Sequence, residues 1–358
     1  MEHETGAGSG AEVSTAAAPA ARGGRELFAA TRPFAQEVRF KSWWFLWSTL
    51  AILVGLLTLA ALAPWWPVRL AASVVGGLVM VRCFILYHDY AHGAVLRRSW
   101  VAKAVMVVIG ALLLAPFSSW RRNHNLHHAN MGKLRSAQVG GFPLLTVAEW
   151  RTATRWERVK YRVSRHPLTI ACASFTIFFL AMAVAPLFEN WRKHWDSVPS
   201  ILAHGACVAG LWWLGGFWMA FFTFLLPYFV AAASGAYLFY VQHNFPAMRM
   251  LPAAQWTREQ AAVISSSHMD LGLIMRWLTG EIGYHHVHHL NPGIPFYRLA
   301  ETMQALPELQ SPEVRITLHP RDVLGCLRLA LYDEDRDRMV SYAEAASDEL
   351  GHRRLQAV

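Results

Sequence analysis

The sequence predicts an all-α fold seated in a bilayer: four transmembrane helices, shorter interfacial or re-entrant helices, and a cytosolic helical cap that holds a metal centre. Three features predict it. Apolar residues make up 54% of the 358-residue chain and are concentrated in long runs between about residues 43 and 241. Histidines, 17 in all, gather mostly in three tight clusters near the ends of such runs. Strand-like alternation is hard to find anywhere.

The elements follow in order. Residues 1–30 are expected to be a disordered N-terminal tail, since the first 24 are rich in Ala, Gly and Ser and carry no apolar core. The same lack of an apolar stretch argues against a signal peptide, and "GAGSG" has no preceding strand to make it a dinucleotide loop. Residues 31–345 are expected to form one membrane domain and 346–358 a C-terminal tail.

Within that domain, residues 43–66 are long enough to span a bilayer and carry tryptophans at both ends. Residues 68–87 make a second span, with Arg82 near its end and expected to snorkel toward head groups. Residues 104–117 are too short for a comfortable span. Residues 167–188 read as a crossing. Residues 201–241 are too long for one crossing and awkward for two, and Gly215-Gly216 offers a bend. From 242 onward the chain is mixed and mostly polar, which fits the cap.

The net charge is +9, with the excess in segments that flank the apolar runs. Basic flanks fix topology by remaining cytoplasmic and can also meet anionic membrane lipids. No nucleic-acid-binding motif accompanies the charge. Four cysteines, Cys83, Cys172, Cys207 and Cys326, lie far apart, so neither a disulfide framework nor a thiolate metal site is expected.

The histidine clusters carry the chemistry. His88 and His92 are spaced i, i+4; His124, His127 and His128 are spaced i, i+3, i+4; His285, His288 and His289 repeat that spacing. On a helix each set shares one face, so three helices can aim their imidazoles at two metal ions. A solvated basic surface would stack so many imidazoles without benefit. His243 stands alone after the last apolar run. Imidazole suits iron, zinc, copper and nickel. Asp89 can orient a ligating histidine, and Glu281 is a weaker candidate for the same role.

Ligands to one centre must share one side of the membrane. Residues 104–117 therefore dip in or lie along the interface, and the number of crossings between His128 and His243 is even. The expected pair is 167–188 and about 218–241, with 201–216 near the far face. Four crossings result, and the basic loop 118–166 faces the cytoplasm.

The trio "HDYAH", "HNLHH" and "HHVHH" resembles the three histidine boxes of the membrane fatty acid desaturases. The stretches "MRWLTGEIGYHHVHHLNPGIPFYRL" and "HPRDVLGCLRLALYDEDRDRMVSY" are similar to bacterial acyl-lipid members, and the likeness covers about residues 40 to 345. Tyr90 and Ala91 depart from the Gly and Cys of many relatives.

The resemblance implies a non-haem diiron centre that uses O2 to place a C=C bond in a fatty acyl chain, with a lipid-bound chain as the expected form. By this likeness one iron takes His88, His124, His128 and His288, and the other takes His92, His127, His243, His285 and His289. His286 fills a variable position and is left out. His166, His194, His204, His268, His319 and His352 read as structural or exposed, with His204 near the far face. An apolar tunnel is expected to hold the chain. No flavin, nicotinamide or haem segment is present, so a separate ferredoxin, flavodoxin or cytochrome donor is implied. The expected location is a bacterial inner membrane, multi-pass, with the centre on the cytoplasmic side. A carotenoid or alkane hydroxylase or ketolase shares the diiron logic. A metal transporter is a poorer fit, because its polar groups belong at mid-membrane depth.

Overall fold

The computed structural model describes residues 22–136 and 140–347. The molecule is mostly helical. Two helices begin the membrane part, Arg39–Leu62 and Trp66–His92, and they pack along each other as a hairpin. Leu62 ends the first because Pro64 follows, and Pro67 opens the second, where its missing N–H costs nothing. Their 24 and 27 residues are ample for a bilayer. Gly93 closes the second helix in the left-handed conformation, at φ 73°.

Arg82 does not reach toward head groups. It is 2% exposed, and its guanidinium donates to Thr49 Oγ1 and to the carbonyl of Trp277. Its charge also lies over the rings of Phe45, Trp277 and Phe296. A buried cation with partners has no reason to snorkel.

Trp100–Leu112 and Phe117–Asn130 form a pair bent by 87°. The bend returns to the end of the second helix from which it left. Tyr87 donates to Ala115 O at 2.8 Å, and Phe117 packs on Tyr87. Residues 104–117 thus turn back beside Tyr87.

The next apolar stretch differs from expectation. Residues Ser174–Val184 are π-wound and run into the helix Ala185–Asn190. Both flanks of this stretch lie beside the histidine-bearing helices. Arg165 donates to Tyr240 OH and Asn244 Oδ1, which flank His243. His194 Nδ1 lies 2.6 Å from Ser119 Oγ, and Asp196 accepts from the N–H and hydroxyl of Ser118, just before His124. Segment 167–188 therefore leaves from and returns toward the same end of the molecule.

From Ser197 a long helical stretch runs to Gln242, broken at Gly215 and Gly216. Gly216 has φ 75° and ψ −173°, a backbone state that only glycine adopts freely. The two arms fold back on each other. His204 lies against Phe224 and Tyr228, and its Nδ1 is 2.7 Å from Leu112 O. Residues 201–216 are thus one arm of a helical hairpin. At the turn end, Ser73 donates to Phe222 O, and Phe222 packs with Ala60 and Ala72. By length and composition three helices can cross a membrane, or four if the bent pair counts as one span. The chain is a membrane protein.

The remaining residues build a lobe over the histidine-bearing ends. It holds short helices and, among the described residues, four short strands in two pairs, His268–Asp270 with Arg315–Thr317 and Leu329–Asp333 with Arg338–Ser341. Strands of three to five residues are too short to show periodicity, which is why an all-α reading missed them. Residues 24–31 are also not a disordered tail. They form the helix Gly24–Thr31, pinned by buried Leu27 and by Phe28 under Arg258. The rest of the expected N-terminal tail, 1–21, and nearly all of the C-terminal one, from 348, lie outside the described residues.

Candidate metal centre

Four segments converge on one point. The helix Trp66–His92 brings His88 and His92 at its last turn. Phe117–Asn130 brings His124, His127 and His128. The last long helix ends just before His243, and His285–Leu290 brings His285, His288 and His289. All nine imidazoles meet, in two groups whose ligand nitrogens lie within 4.8 Å of one another. The first group is His88, His92, His124, His128 and His288; the second is His127, His243, His285 and His289. His92 therefore joins the first group, not the second, because its Nε2 is 2.9 Å from that of His124. The last turn of its helix faces the box-two helix, a tertiary fact that spacing does not encode.

The second group is as tight. His127 Nε2 is 3.0 Å from His243 Nε2 and 3.3 Å from His289 Nε2. His285 Nε2 is 2.9 Å from His243 Nε2 and 3.0 Å from His289 Nε2. A neutral imidazole has one donor and one acceptor nitrogen, so an Nε2 facing two others cannot satisfy both by hydrogen bonding. Converging lone pairs of this kind suit a cation between them. The donor set, all nitrogen and no thiolate, fits iron among other transition metals.

The outward nitrogens show how the rings are held. His88 Nδ1 is 2.9 Å from Asp89 Oδ1, and the other oxygen of Asp89 accepts from the N–H of Phe296 at 2.7 Å. His243 Nδ1 is 3.0 Å from Ser265 O. These contacts fix ring orientation and leave Nε2 pointing inward. Among the described residues, the Nδ1 atoms of His127, His128, His285, His288 and His289 have no hydrogen-bond partner, and ring packing orients those side chains. Trp120 stacks on His124 at 4.6 Å, and Phe239 lies against His127 at 4.8 Å.

Burial, and then the neighbouring imidazoles, hold His285, His288 and His289 well below the usual histidine range. They are neutral at physiological pH, the state in which a histidine binds metal.

Residues outside the groups also have defined places. His286 Nε2 is 2.9 Å from Leu309 O and points away from both groups. His268 stacks on Tyr284, and His166 and His319 accept from backbone N–H groups at helix starts. His194 is buried against Ser119 and Arg122. His204 lies within the helical hairpin, not at the far face. His352 lies outside the described residues. Glu281 pairs with Arg276 at 2.7 Å and touches no imidazole of the groups. Sequence reasoning missed Trp120, Phe239 and Ser265. The two rings sit one helical turn before His124 and His243, which is a readable signal; a backbone carbonyl leaves none.

Comparison with known proteins agrees with this geometry. The family model described as fatty acid desaturase matches residues 64–321. A fatty acid desaturase of Bacillus subtilis (strain 168) is 31% identical over 275 residues, which cover 76% of this chain and 77% of that protein. An sn-1 oleoyl-lipid 12-desaturase of Synechocystis sp. is 26% identical over 281 residues, covering 76% and 77%. A chloroplastic omega-6 fatty acid desaturase of Arabidopsis thaliana is 26% identical over 287 residues, covering 70% of this chain and 56% of that protein. With the boxes assembled in space and the match extending over most of its length, the chain belongs to the fatty acid desaturase family.

Proposed function

We propose that this enzyme introduces a double bond into the acyl chains of membrane lipids, at a centre of two irons held by the nine histidines. The convergence of nine imidazoles in two groups, with no thiolate among them, is the observation that carries the reading. The lipid-bound form of the substrate is supported by the oleoyl-lipid specificity named for the cyanobacterial relatives.

The balance of the reaction is simple. A –CH2–CH2– pair, O2, two electrons and two protons give –CH=CH– and two waters. With O2, paired irons supply an oxidant strong enough for an unactivated C–H bond, which no side chain can match. The chain does the rest. His88, His92, His124, His128 and His288 hold one ion, and His127, His243, His285 and His289 hold the other. Asp89 fixes the ring of His88, and the Ser265 carbonyl fixes that of His243. The packed lobe keeps bulk water from the centre.

The topology follows from the same parity. The four crossings are Arg39–Leu62, Trp66–His92, and the two arms on either side of Gly215-Gly216. Segments 104–117 and 174–190 stay on the side of the centre. Basic residues at 151–165 and Arg192-Lys193 then lie on the cytoplasmic side of a bacterial inner membrane. The electrons come from a separate ferredoxin, flavodoxin or cytochrome. Arg97, Arg98 and Arg121, exposed beside the first two boxes, suit an acidic donor.

The test is expression in a host with simple lipids, followed by mass spectrometry of its fatty acids and iron analysis of the purified protein. A new double bond, lost in His127→Ala, is expected. An oxygenated product would replace desaturation by hydroxylation or ketolation. An unchanged lipid profile from folded, iron-loaded protein would end the acyl reading.

A further inference from the structure

The helix Arg155–Ser164 has two unlike faces. Tyr161 turns inward, buried with Leu331 and Val340, and its hydroxyl donates to Ala330 O. The opposite face carries Trp156, Val159 and Val163, which are 74%, 48% and 57% exposed. Their i, i+3, i+7 spacing puts them on one side of the helix, in a stripe about 10 Å long. One apolar side chain on a surface is ordinary, whereas a contiguous exposed row marks a contact with something apolar.

Basic groups border the stripe. Arg155, Lys160 and Arg162 are exposed, while Arg158 is drawn back over Trp150 and donates to the carbonyls of Trp150 and Arg151. The one acid of the helix, Glu157, is engaged at its start, where it accepts from the N–H and hydroxyl of Thr154. An apolar stripe with a basic rim is the pattern of a helix lying in the plane of a membrane surface. The stripe also continues past the helix end. The Thr169 hydroxyl donates to Val163 O at 2.6 Å and ties the helix to the next segment, on which Leu168, Phe175 and Phe188 are exposed in turn. In a membrane protein, the exposed side chains of so apolar a stretch have the bilayer as their solvent.

We infer that Arg155–Ser164 lies along the membrane surface on the side of the histidines and gathers anionic phospholipid. Trp156, Val159 and Val163 sit at the boundary of head groups and acyl chains, and Arg155, Lys160 and Arg162 meet the lipid phosphates. Continuity with 167–188 favours the bilayer over a soluble partner. Trp156 suits that depth, since an indole joins an apolar body to a polar N–H. Each basic side chain near an anionic surface adds to the attraction. Arg165, one residue past the helix, donates to Tyr240 and Asn244 beside His243, so the seated helix also sets how high the centre rides above the lipid. The inference needs only a membrane protein and holds whatever reaction the centre performs.

The test uses the full chain in nanodiscs of phosphatidylcholine, with or without phosphatidylglycerol. Val159→Cys or Val163→Cys carries the polarity-sensitive fluorophore NBD in a Cys172→Ser, Cys207→Ala background, since Cys83 and Cys326 are buried. Blue-shifted emission, quenched by lipids with a doxyl group near the head group, is expected at both positions. NBD on Glu334→Cys, at an exposed turn of the lobe, keeps its aqueous emission and escapes quenching. At equal amounts, doxyl-phosphatidylglycerol is expected to quench at least about twofold more than doxyl-phosphatidylcholine. That preference disappears when Arg155→Gln, Lys160→Gln and Arg162→Gln are combined. Two label positions keep the test decisive if one variant misfolds. Aqueous, unquenched emission at 159 and 163 would overturn the inference and leave the stripe to a soluble partner. Equal quenching by the two lipids would overturn the gathering of anionic lipid. Neither result bears on the double-bond assay, whose failure would sink the desaturase reading alone.

Discussion

The two imidazole groups share two helices yet differ in how they are built. The first has five rings and a carboxylate, Asp89, that touches His88. The second has four rings and only a backbone carbonyl, that of Ser265, behind His243. The second also borders a small cavity of about 30 Å3 lined by His127, His243, Met131, Phe142 and Phe239, among others. A carboxylate-braced group of five donors therefore sits beside one of four donors with no carboxylate against it among the described residues. In metal sites that distinction separates a held ion from one with room for an incoming ligand. The lesson is that three similar boxes need not make two equivalent sites.

Deleting one ring from each group tests the comparison most severely. His124→Ala and His127→Ala strike different groups from the same helix. Each should lower iron from two to about one per chain and drop double-bond formation below detection. Full iron in His127→Ala would mean that the second group is not a metal site.

Next comes the brace. Asp89→Ala should cost about 10- to 100-fold in iron affinity or activity, the usual effect of removing a partner of a ligating histidine. Ser265→Ala keeps its carbonyl and should stay within a few-fold of wild type. Equal losses in both variants would erase the proposed asymmetry.

A backbone change next to His127 probes the helix that both groups share. Gly140 has φ 78°, and a Cβ there would overlap Asn123 O and lie 2.7 Å from His127 N. Gly140→Ala should destabilise by about 1–3 kcal/mol, from left-handed strain and overpacking. A lowered melting temperature, with iron lost first from the four-ring group, is the expected reading.

The smallest effect is on pH and should fall on both groups together. His268 stacks on Tyr284, behind the third-box helix, and burial pushes it down to about 4. It is neutral when folded, whereas the unfolded chain protonates it near 6.5. The unfolded state thus binds more protons below 6.5, and stability falls as pH drops from about 6.5 toward 4. His268→Gln should flatten the melting temperature across that window; an unchanged slope would assign the acid sensitivity elsewhere.

Much of the centre was readable beforehand. The i, i+3, i+4 spacings name eight histidines, and His243 stood out by position after a long apolar run. Side-of-membrane logic also asked that 104–117 turn back, and an 87° bend follows Leu112; a bend was likewise expected at Gly215-Gly216. What failed was assignment by apolar length alone. Residues 167–188 are apolar enough to cross, yet they lie against Phe84 and Tyr228 and return toward Ser119. The warning was in "NWRKHW" just after, whose Arg192 and Lys193 belong on the basic side. Arg82 misled in the opposite sense. Its partners Thr49 and Trp277 come from distant segments, and only the folded chain brings them near.

The turn at Gly215-Gly216 has one more consequence. With the Ala63–Trp65 turn beside it, it leaves two tight corners to serve the far end of the molecule. On the proposed topology, a water-borne protease or bulky reagent approaching from that leaflet would find scarcely any handle among the described residues. Nearly everything in them that a soluble partner can grip would then be displayed toward a single compartment.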